Sequence, residues 1–596
     1  MKKYLFFIAT IALVSGCQKN FLDRYPQTTI SPQLYFNTEN DLSMYINGLL
    51  DQPGSGSLYV NGNDQATDDY ATTGNVTMKN ILGGNISAQN APSSWSWSRL
   101  RSINYFLDNY SKAAIPNDVK NHYAGLARYY RAKFYLGMVK NYSDVPWVSH
   151  ALNPSDTLML YKASDPRTLV VDSIFADLDF AANNVKASVP TGTPGLWAVK
   201  TMYARMALYE GTYRKYHPEL NLQSTASTYL NLAVKQAGDV IASGKFSLTP
   251  KFSDLFTSQT LNSNPEVILN TEYDASKNIS SSGNSGILDY EQSPSRDLMQ
   301  TFLMKDGSRF TDIPNYQQML FVDEFKNRDP RLNVTYMYPG IINVPSTTPY
   351  VQKLNTNFTG YHQLKGYQNY TTDANTISSV DAPALRYAEV LLTYAEAAAE
   401  LGTISQADVD RTIGLLRARA GIPSLNMMTA NANPDPVLAA KYPDVSGANK
   451  GLILEIRREK RVEFALEGRR YDDLMRWHAG TTCFAPYAQG LYFPGLGQYD
   501  LTGDGIPDII LISASDAIPP DANKLKNSLG TTLIYYKVGN FGDQNVSVFL
   551  QNGSNGGPVV TGVTPRTFIE PKYYYLPIPI LETTQNPKLK QPFGWQ

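Results

Sequence analysis

Only two cysteines, Cys17 and Cys483, occur in 596 residues. A disulfide framework is therefore excluded, and a fold of this length must be held by its core. Histidine is nearly as scarce. His122, His150, His217, His362 and His478 are the full set, and none forms an HExxH helix or another close metal pair. A GxSxG elbow, a Walker loop and a Rossmann fingerprint are also missing in context, which removes the hydrolases and nucleotide enzymes that such motifs mark. A glycoside hydrolase stays open, because its carboxylates can stand far apart in sequence. Neither charge sign is in excess, with 52 Lys and Arg against 53 Asp and Glu, so no nucleic-acid partner is expected. The apolar run at residues 4–14 falls far short of the ~20 residues that span a bilayer.

That run sits between Met1-Lys2-Lys3 and Val14-Ser15-Gly16-Cys17. Basic, apolar and small residues in this order describe a secretory signal, and a cysteine directly after Val-Ser-Gly is the pattern of a bacterial lipobox. Residues 1–16 are predicted to be removed and Cys17 to carry lipid. The rest then lies outside the cytoplasm on acyl chains, each buried CH2 contributing about 0.8 kcal/mol. Residues 17–40 read as a tether. Loss of Lys2 and Lys3 makes the net charge of −1 more negative by two. Cys483, left without a partner, is expected to be a small buried hydrophobe.

Helical periodicity dominates residues 41–245, with apolar positions recurring over 41–50, 98–110, 122–140, 169–185, 200–216 and 228–243. The segments pair through short connections. This resembles stacked helix-turn-helix repeats of the tetratricopeptide kind, without a strict ~34-residue period. Residues 246–383 are rich in Asn, Ser, Thr, Gly and Pro, with strand-like runs at 266–272 and 333–338; such irregular stretches often carry binding residues. Helices return at 384–401, 406–420 and 452–478, followed by loops with strands at 509–512 and 532–537. The predicted class is mostly α, a tetratricopeptide-like helix-pair scaffold with a large, irregular, loop-rich half carrying short strands.

Aromatic content is weighted toward tyrosine, 40 Tyr against 23 Phe and 6 Trp. A tyrosine offers a flat apolar face and a hydroxyl together, which suits sugars and peptides. The loop at 61–98 combines Asp68, Asp69 and Tyr70 with Trp95 and Trp97. It thus supplies polar groups for sugar hydroxyls and flat faces for pyranose C–H surfaces. Trp95 and Trp97 alternate, so Trp95 is expected to face away from Trp97, which stands at a helix start. In the irregular middle, Tyr273, Tyr290 and Tyr316 are candidate ligand contacts, with Tyr361 and Tyr367 in similar contexts. Trp147, Trp197 and Trp477 are expected in the core. The charged run at 457–463 reads as structural, pairing along a solvated helix face with some ion pairs part-buried beside Phe464 and Trp477. Asp472 and Asp473 point about 100° apart on a helix and make a poor acid/base pair. Asp500, Thr502, Asp504 and Asp508 hold positions one, three, five and nine of an EF-hand-like loop, with Gly505 at six. Leu511 replaces the bidentate acid at position twelve, and the competing reading is an Asp/Gly-rich turn. No cofactor is required; a structural Ca2+ at this loop is the one candidate.

A family resemblance covers the chain from Cys17 onward. Its marks are Phe21-Leu22-Asp23 with Pro26, Arg131-Ala132-Lys133-Phe134-Tyr135, and Tyr142-Ser143-Asp144-Val145-Pro146. They continue through Ser293-Pro294-Ser295-Arg296-Asp297-Leu298, Asn327-Arg328-Asp329-Pro330-Arg331-Leu332, and Arg386-Tyr387-Ala388-Glu389. Arg417-Ala418-Arg419-Ala420-Gly421, Glu467-Gly468-Arg469-Arg470-Tyr471 and Leu576-Pro577-Ile578-Pro579 complete the series. In that order these blocks resemble the SusD/RagB-type outer-membrane nutrient-binding lipoproteins of Bacteroidetes. The resemblance implies one domain over 41–596, with a helical-repeat part (41–245), an irregular ligand-side part (246–383) and C-terminal helices and loops (384–596). It implies a non-catalytic protein, lipid-anchored on the outer membrane and exposed at the cell surface. Its ligand would be a glycan, passed to a SusC-like TonB-dependent transporter. A RagB-like peptide ligand is the first alternative, and a glycoside hydrolase the second.

Overall fold

The structure is a computed structural model that describes residues 35–51, 64–72, 75–92, 94–280, 293–344, 346–368 and 378–596. Cys17, the signal segment and Tyr290 lie outside the described residues. Helix α1 (Glu39–Asn47) starts at a capping box, in which Thr38 and Asp41 satisfy each other's backbone N–H groups. The scaffold then runs through α2 (Ser98–Asn109), α3 (Asn117–Tyr142), α4 (Arg167–Asn184), α5 (Leu196–Tyr216) and α6 (Ala226–Ala242). Within it α2 packs on α3, α3 on α4 and α5 on α6. The mostly α, helix-pair class is what the structure shows. Small residues let the pairs approach: a Cβ on Gly211 of α5 would lie 2.8 Å from Leu230 of α6. Buried bidentate ion pairs tie successive helices, Arg131 of α3 to Asp177 of α4 and Arg167 of α4 to Glu210 of α5.

The strands are short and mostly pair across long sequence separations. β1 (Tyr70–Ala71) pairs with β3 (Ser293–Pro294), and β2 (Val267–Thr271) with β4 (Ala382–Arg386). β5 (Gln489–Phe493) pairs with β10 (Gly557–Val560). One four-stranded sheet runs in the order β6 (Gly497–Tyr499), β7 (Ile509–Ser513), β8 (Ile534–Gly539) and β9 (Val548–Phe549). After β3 comes α7 (Arg296–Thr301); after β4 come α8 (Tyr387–Leu401), α9 (Ile413–Ala420), α10 (Lys450–Glu463) and α11 (Arg470–Arg476).

Apolar side chains gather into two main cores. The larger joins the N-terminal helices to α8, α10 and the C-terminal segment that ends at Trp595. The other joins α7, the middle segment and the sheet, through Leu298, Phe302, Tyr361, Leu491, Ile509 and Val538. Helix α10 serves both: Ile453, Ile456 and Phe464 beside it belong to the first core, Val462 and Ala465 to the second.

Three expectations need correction. The charged run of α10 is not a solvated face, because every residue from Gly451 to Glu463 is buried. Its partners arrive from other elements: Glu463 accepts from Arg331, Arg386 and Arg419, while Lys460 reaches Glu396. The helix expected over 452–478 breaks between α10 and α11, where Leu466 and Gly468 take positive φ values of 65° and 75°. Fully buried Asp64 accepts the Gly468 and Arg470 backbone N–H groups there, so long-range capping outweighs helical periodicity. The strand expected over 333–338 is instead a helical turn, Leu332–Thr335, since Thr335 N–H bonds back to Arg331.

Candidate functional site

The Asp68-Asp69-Tyr70 segment is drawn inward by β1–β3 pairing and by Ser295, which donates to the Asp68 and Asp69 carbonyls. Asp68 accepts both arms of Arg470 at 2.8 Å and pairs with Arg461 and Lys441. Asp69 pairs with Arg461 at 2.8 Å, and Asp297 of α7 bridges Lys441 and Arg461 at 2.7 and 2.8 Å. Three carboxylates thus face three cations. Burial pushes the Asp68 carboxyl up, but Arg461, Arg470 and Lys441 outweigh it and hold it below the usual range. Asp297 is held down in the same way by Lys441 and Arg461. Asp69 moves up, because burial with the adjacent Asp68 charge overcomes Arg461. Asp64 below them is pushed up to about 8 by burial and by Asp69. Tyr70 is buried, and its hydroxyl is spent on Gln363.

Asp68, Asp297 and Lys441 form part of the wall of a cleft of about 740 Å³. Tyr316, Tyr487 and Tyr492 line the same cleft, each half-buried. Each is placed by its own element. Arg296, fixed at the start of α7 by its pair with buried Glu324, donates to the Gln317 and Met319 carbonyls and so sets the turn carrying Tyr316. The Arg296 guanidinium also lies 5.8 Å from the ring centroid of Tyr492 on β5. Tyr487 lies with Arg566 3.8 Å from its ring centroid, and a Cβ on Gly562 would sit 2.2 Å from the ring. Gln317, Gln489, Asn552 and Asn555 add amides to the lining. Its charged groups are internally matched: Arg296 with Glu324, Arg458 with Asp435, and Lys441 with Asp68 and Asp297.

Trp95 and Trp97 do not reach this cleft. They meet edge to face with centroids 5.3 Å apart and line a second cavity of about 370 Å³ with Leu100, Arg101, His150 and Met159. The expectation that they face apart is therefore corrected: the segment before α2 is irregular, so strand-like alternation does not apply. Tyr273, Tyr361 and Tyr367 are buried, and none of them lines either cavity. Trp477 lies inside the larger apolar core, while Trp147 and Trp197 pack half-buried against that core rather than within it. Cys483 is buried at the cleft wall. Asp500 accepts the N–H groups of Thr502, Gly503 and Gly505; Asp508 accepts those of Leu501 and Thr502, and Asp504 that of Ile506. These bonds describe an Asx-type turn. Sequence reasoning missed Tyr487 and Tyr492. The one available signal was tyrosine density between Pro486 and Pro494, with nothing local to show that β10 turns that segment toward α7.

A family model described as the SusD family matches residues 253–595. The SusD-like protein P2 of Formosa agariphila is 24% identical over 519 residues, covering 82% of this chain and 93% of that protein. Among solved structures, a SusD-like carbohydrate-binding protein of Bacteroides fragilis superposes with a TM-score of 0.67 at 21% identity, covering 93% of this chain and 99% of the other. A laminarin-binding SusD-like protein superposes at 0.53 with 15% identity, covering 94% and 100%. Among the described residues, no helix is long and apolar enough to cross a membrane.

Proposed function

This chain belongs to the SusD family, and from that premise we propose that it is a non-catalytic binding protein that captures a neutral glycan in the tyrosine-lined cleft. The observation that carries the reading is the lining itself: three half-buried tyrosines and several amides around charged groups already paired with one another. Pyranose C–H faces stack on such rings, and amides exchange hydrogen bonds with hydroxyls, often through water. Among the described lining residues, matched internal charges leave no unpaired cation to favour an acidic sugar. The carbohydrate- and laminarin-binding relatives support the same class of ligand. Affinity is expected to be modest, because hydroxyls trade water bonds for similar ones.

Catalysis is disfavoured by the carboxylates. A glycosidase needs one raised carboxyl as acid beside one ionised partner. Asp68 and Asp297, which line the cleft, are both held down by cations, and Asp435, the third lining carboxylate, is paired with Arg458. The raised carboxyls of Asp64 and Asp69 are buried and do not line the cleft. In the full reading Cys17 carries the lipid, the protein stands on the outer face of the outer membrane, and a SusC-like TonB-dependent barrel receives the glycan.

The test is binding of the soluble chain, begun at residue 18, to a panel of neutral polysaccharides, uronic-acid polysaccharides and peptides. Retention by a neutral glycan with no release of product supports the reading. Binding to peptides alone moves the ligand to the RagB-like class, and product release makes the protein a hydrolase.

A further inference from the structure

His217 and His478, distant in sequence, meet at the end of the helical scaffold. His217 closes α5 and is fully buried; His478 follows α11 with a φ of 56°. Their ring centroids are 5.0 Å apart at 86°. Glu219 places Oε1 2.9 Å from His217 Nδ1, and one ligand atom from each of the three residues lies within 4.8 Å of the others. Glu570 adds an oxygen 3.7 Å from His478 Nε2.

The other nitrogen of each ring is already committed. His217 Nε2 lies 2.8 Å from the Met475 carbonyl, which only accepts, so that nitrogen carries the hydrogen. His478 Nδ1 lies 2.9 Å from the Asp444 carboxylate. In neutral rings these contacts leave His217 Nδ1 and His478 Nε2 as lone pairs, both aimed at carboxylate oxygens. Lone pairs facing carboxylates repel unless a positive centre stands between them. Acceptors behind both imidazoles are also the arrangement that fixes a metal-bound histidine's tautomer and raises its basicity.

We propose that His217, His478 and Glu219, with Glu570 as fourth ligand, form a site for a borderline first-row divalent cation, Zn2+ foremost. Two imidazole nitrogens and carboxylate oxygens suit this class and not Ca2+, which takes six to eight oxygens. The ligand atoms draw inward on binding to reach Zn–N and Zn–O separations of about 2.0–2.2 Å. Entry is open on one side, with the side chains of Glu219, His478 and Glu570 11%, 16% and 32% exposed. The ion would clip the end of α5, the turn after α11 at His478 and the segment at Glu570 together, which is a stabilising role. This proposal is independent of the glycan reading.

The test uses the untagged chain begun at residue 18, stripped by chelator and dialysed. Titration with ZnCl2 should show one ion per chain by calorimetry and elemental analysis, with a raised Tm. CoCl2 should give the visible absorption of a four-coordinate site, and CaCl2 should do neither. His478→Ala and Glu219→Gln lie at the rim and should keep the metal-free circular dichroism while weakening Zn2+ binding at least tenfold. His150→Ala, at a histidine 77% exposed elsewhere, should change nothing. Failure of the parent chain to bind Zn2+ stoichiometrically overturns the proposal and leaves the His217–Glu219 contact bridged by a proton. Undiminished binding in both rim variants overturns it equally.

Discussion

Tyr487 owes its orientation to two neighbours, the Arg566 guanidinium over one part of the ring and the Gly562 backbone against another. A methyl at Gly562 meets the ring far inside van der Waals contact, so Gly562→Ala must turn Tyr487 out of place. Glycan affinity should fall several-fold in that variant with Tm lowered by only a few degrees, measured by calorimetry and thermal scan. Unchanged affinity would remove Tyr487 from the site. His362 makes a different prediction. Buried against Lys353 N–H and Tyr350, it is pushed down to about 4 from 6.5 by burial. Its sign follows from linkage: as pH falls below 6.5 the unfolded chain takes up a proton that the folded chain refuses until about pH 4. Stability is therefore lost across that window, on the order of 3 kcal/mol at full extent. His362→Gln should be less stable than the parent at pH 7, and the gap should close as pH falls to 4. A constant gap in urea-unfolding free energy would contradict the assignment.

Helix α10 shows what a single element contributes and how much of it could be read in advance. Its existence was legible because helical periodicity is local. Its burial was not, because the cations that neutralise Glu463 come from Arg331, Arg386 and Arg419 on other elements. Burial pushes the Glu463 carboxyl up, and those three arginines outweigh it and hold it well down. Glu463→Ala takes one shared carboxylate from three buried guanidinium groups, which keep Asp329 and Glu459 (Arg331), Glu266 and Glu467 (Arg386) and Glu266 (Arg419). It should cost about 3 kcal/mol, seen as a lower urea midpoint. A loss below 1 kcal/mol would mean that water screens the network. The same locality explains the clefts. Asp68 and Tyr316 could be singled out by composition, and they do line one cavity, whereas Trp95 and Trp97 were placed with them only by sequence proximity. Tyr487 and Tyr492 depend on the pairing of β5 with β10, which nothing in either segment announces. The Asp500 loop has its carboxylates bonded to turn amides. Adding millimolar Ca2+ should leave Tm unchanged; a clear rise would place calcium there.

At the scale of the molecule, two apolar cores meet at α10, and the tyrosine-lined cleft lies where α7, β5 and the Asp68 segment converge. The helical half was legible from periodicity and small residues. The irregular half was legible only as irregular, since its strands pair partners as remote as Tyr70 and Pro294. Surface anchoring makes its own prediction: protease added to intact cells should cut this protein along with known surface proteins, and survival would place it in the periplasm. The most direct measurement is calorimetry of the chain begun at residue 18 with the glycan retained from the panel, comparing Tyr487→Ala/Tyr492→Ala with Trp95→Ala. The account predicts at least tenfold weaker binding in the double tyrosine variant and near-parent binding in the tryptophan variant. The reverse pattern would move the site to the second cavity and contradict the assignment of the tyrosine-lined cleft.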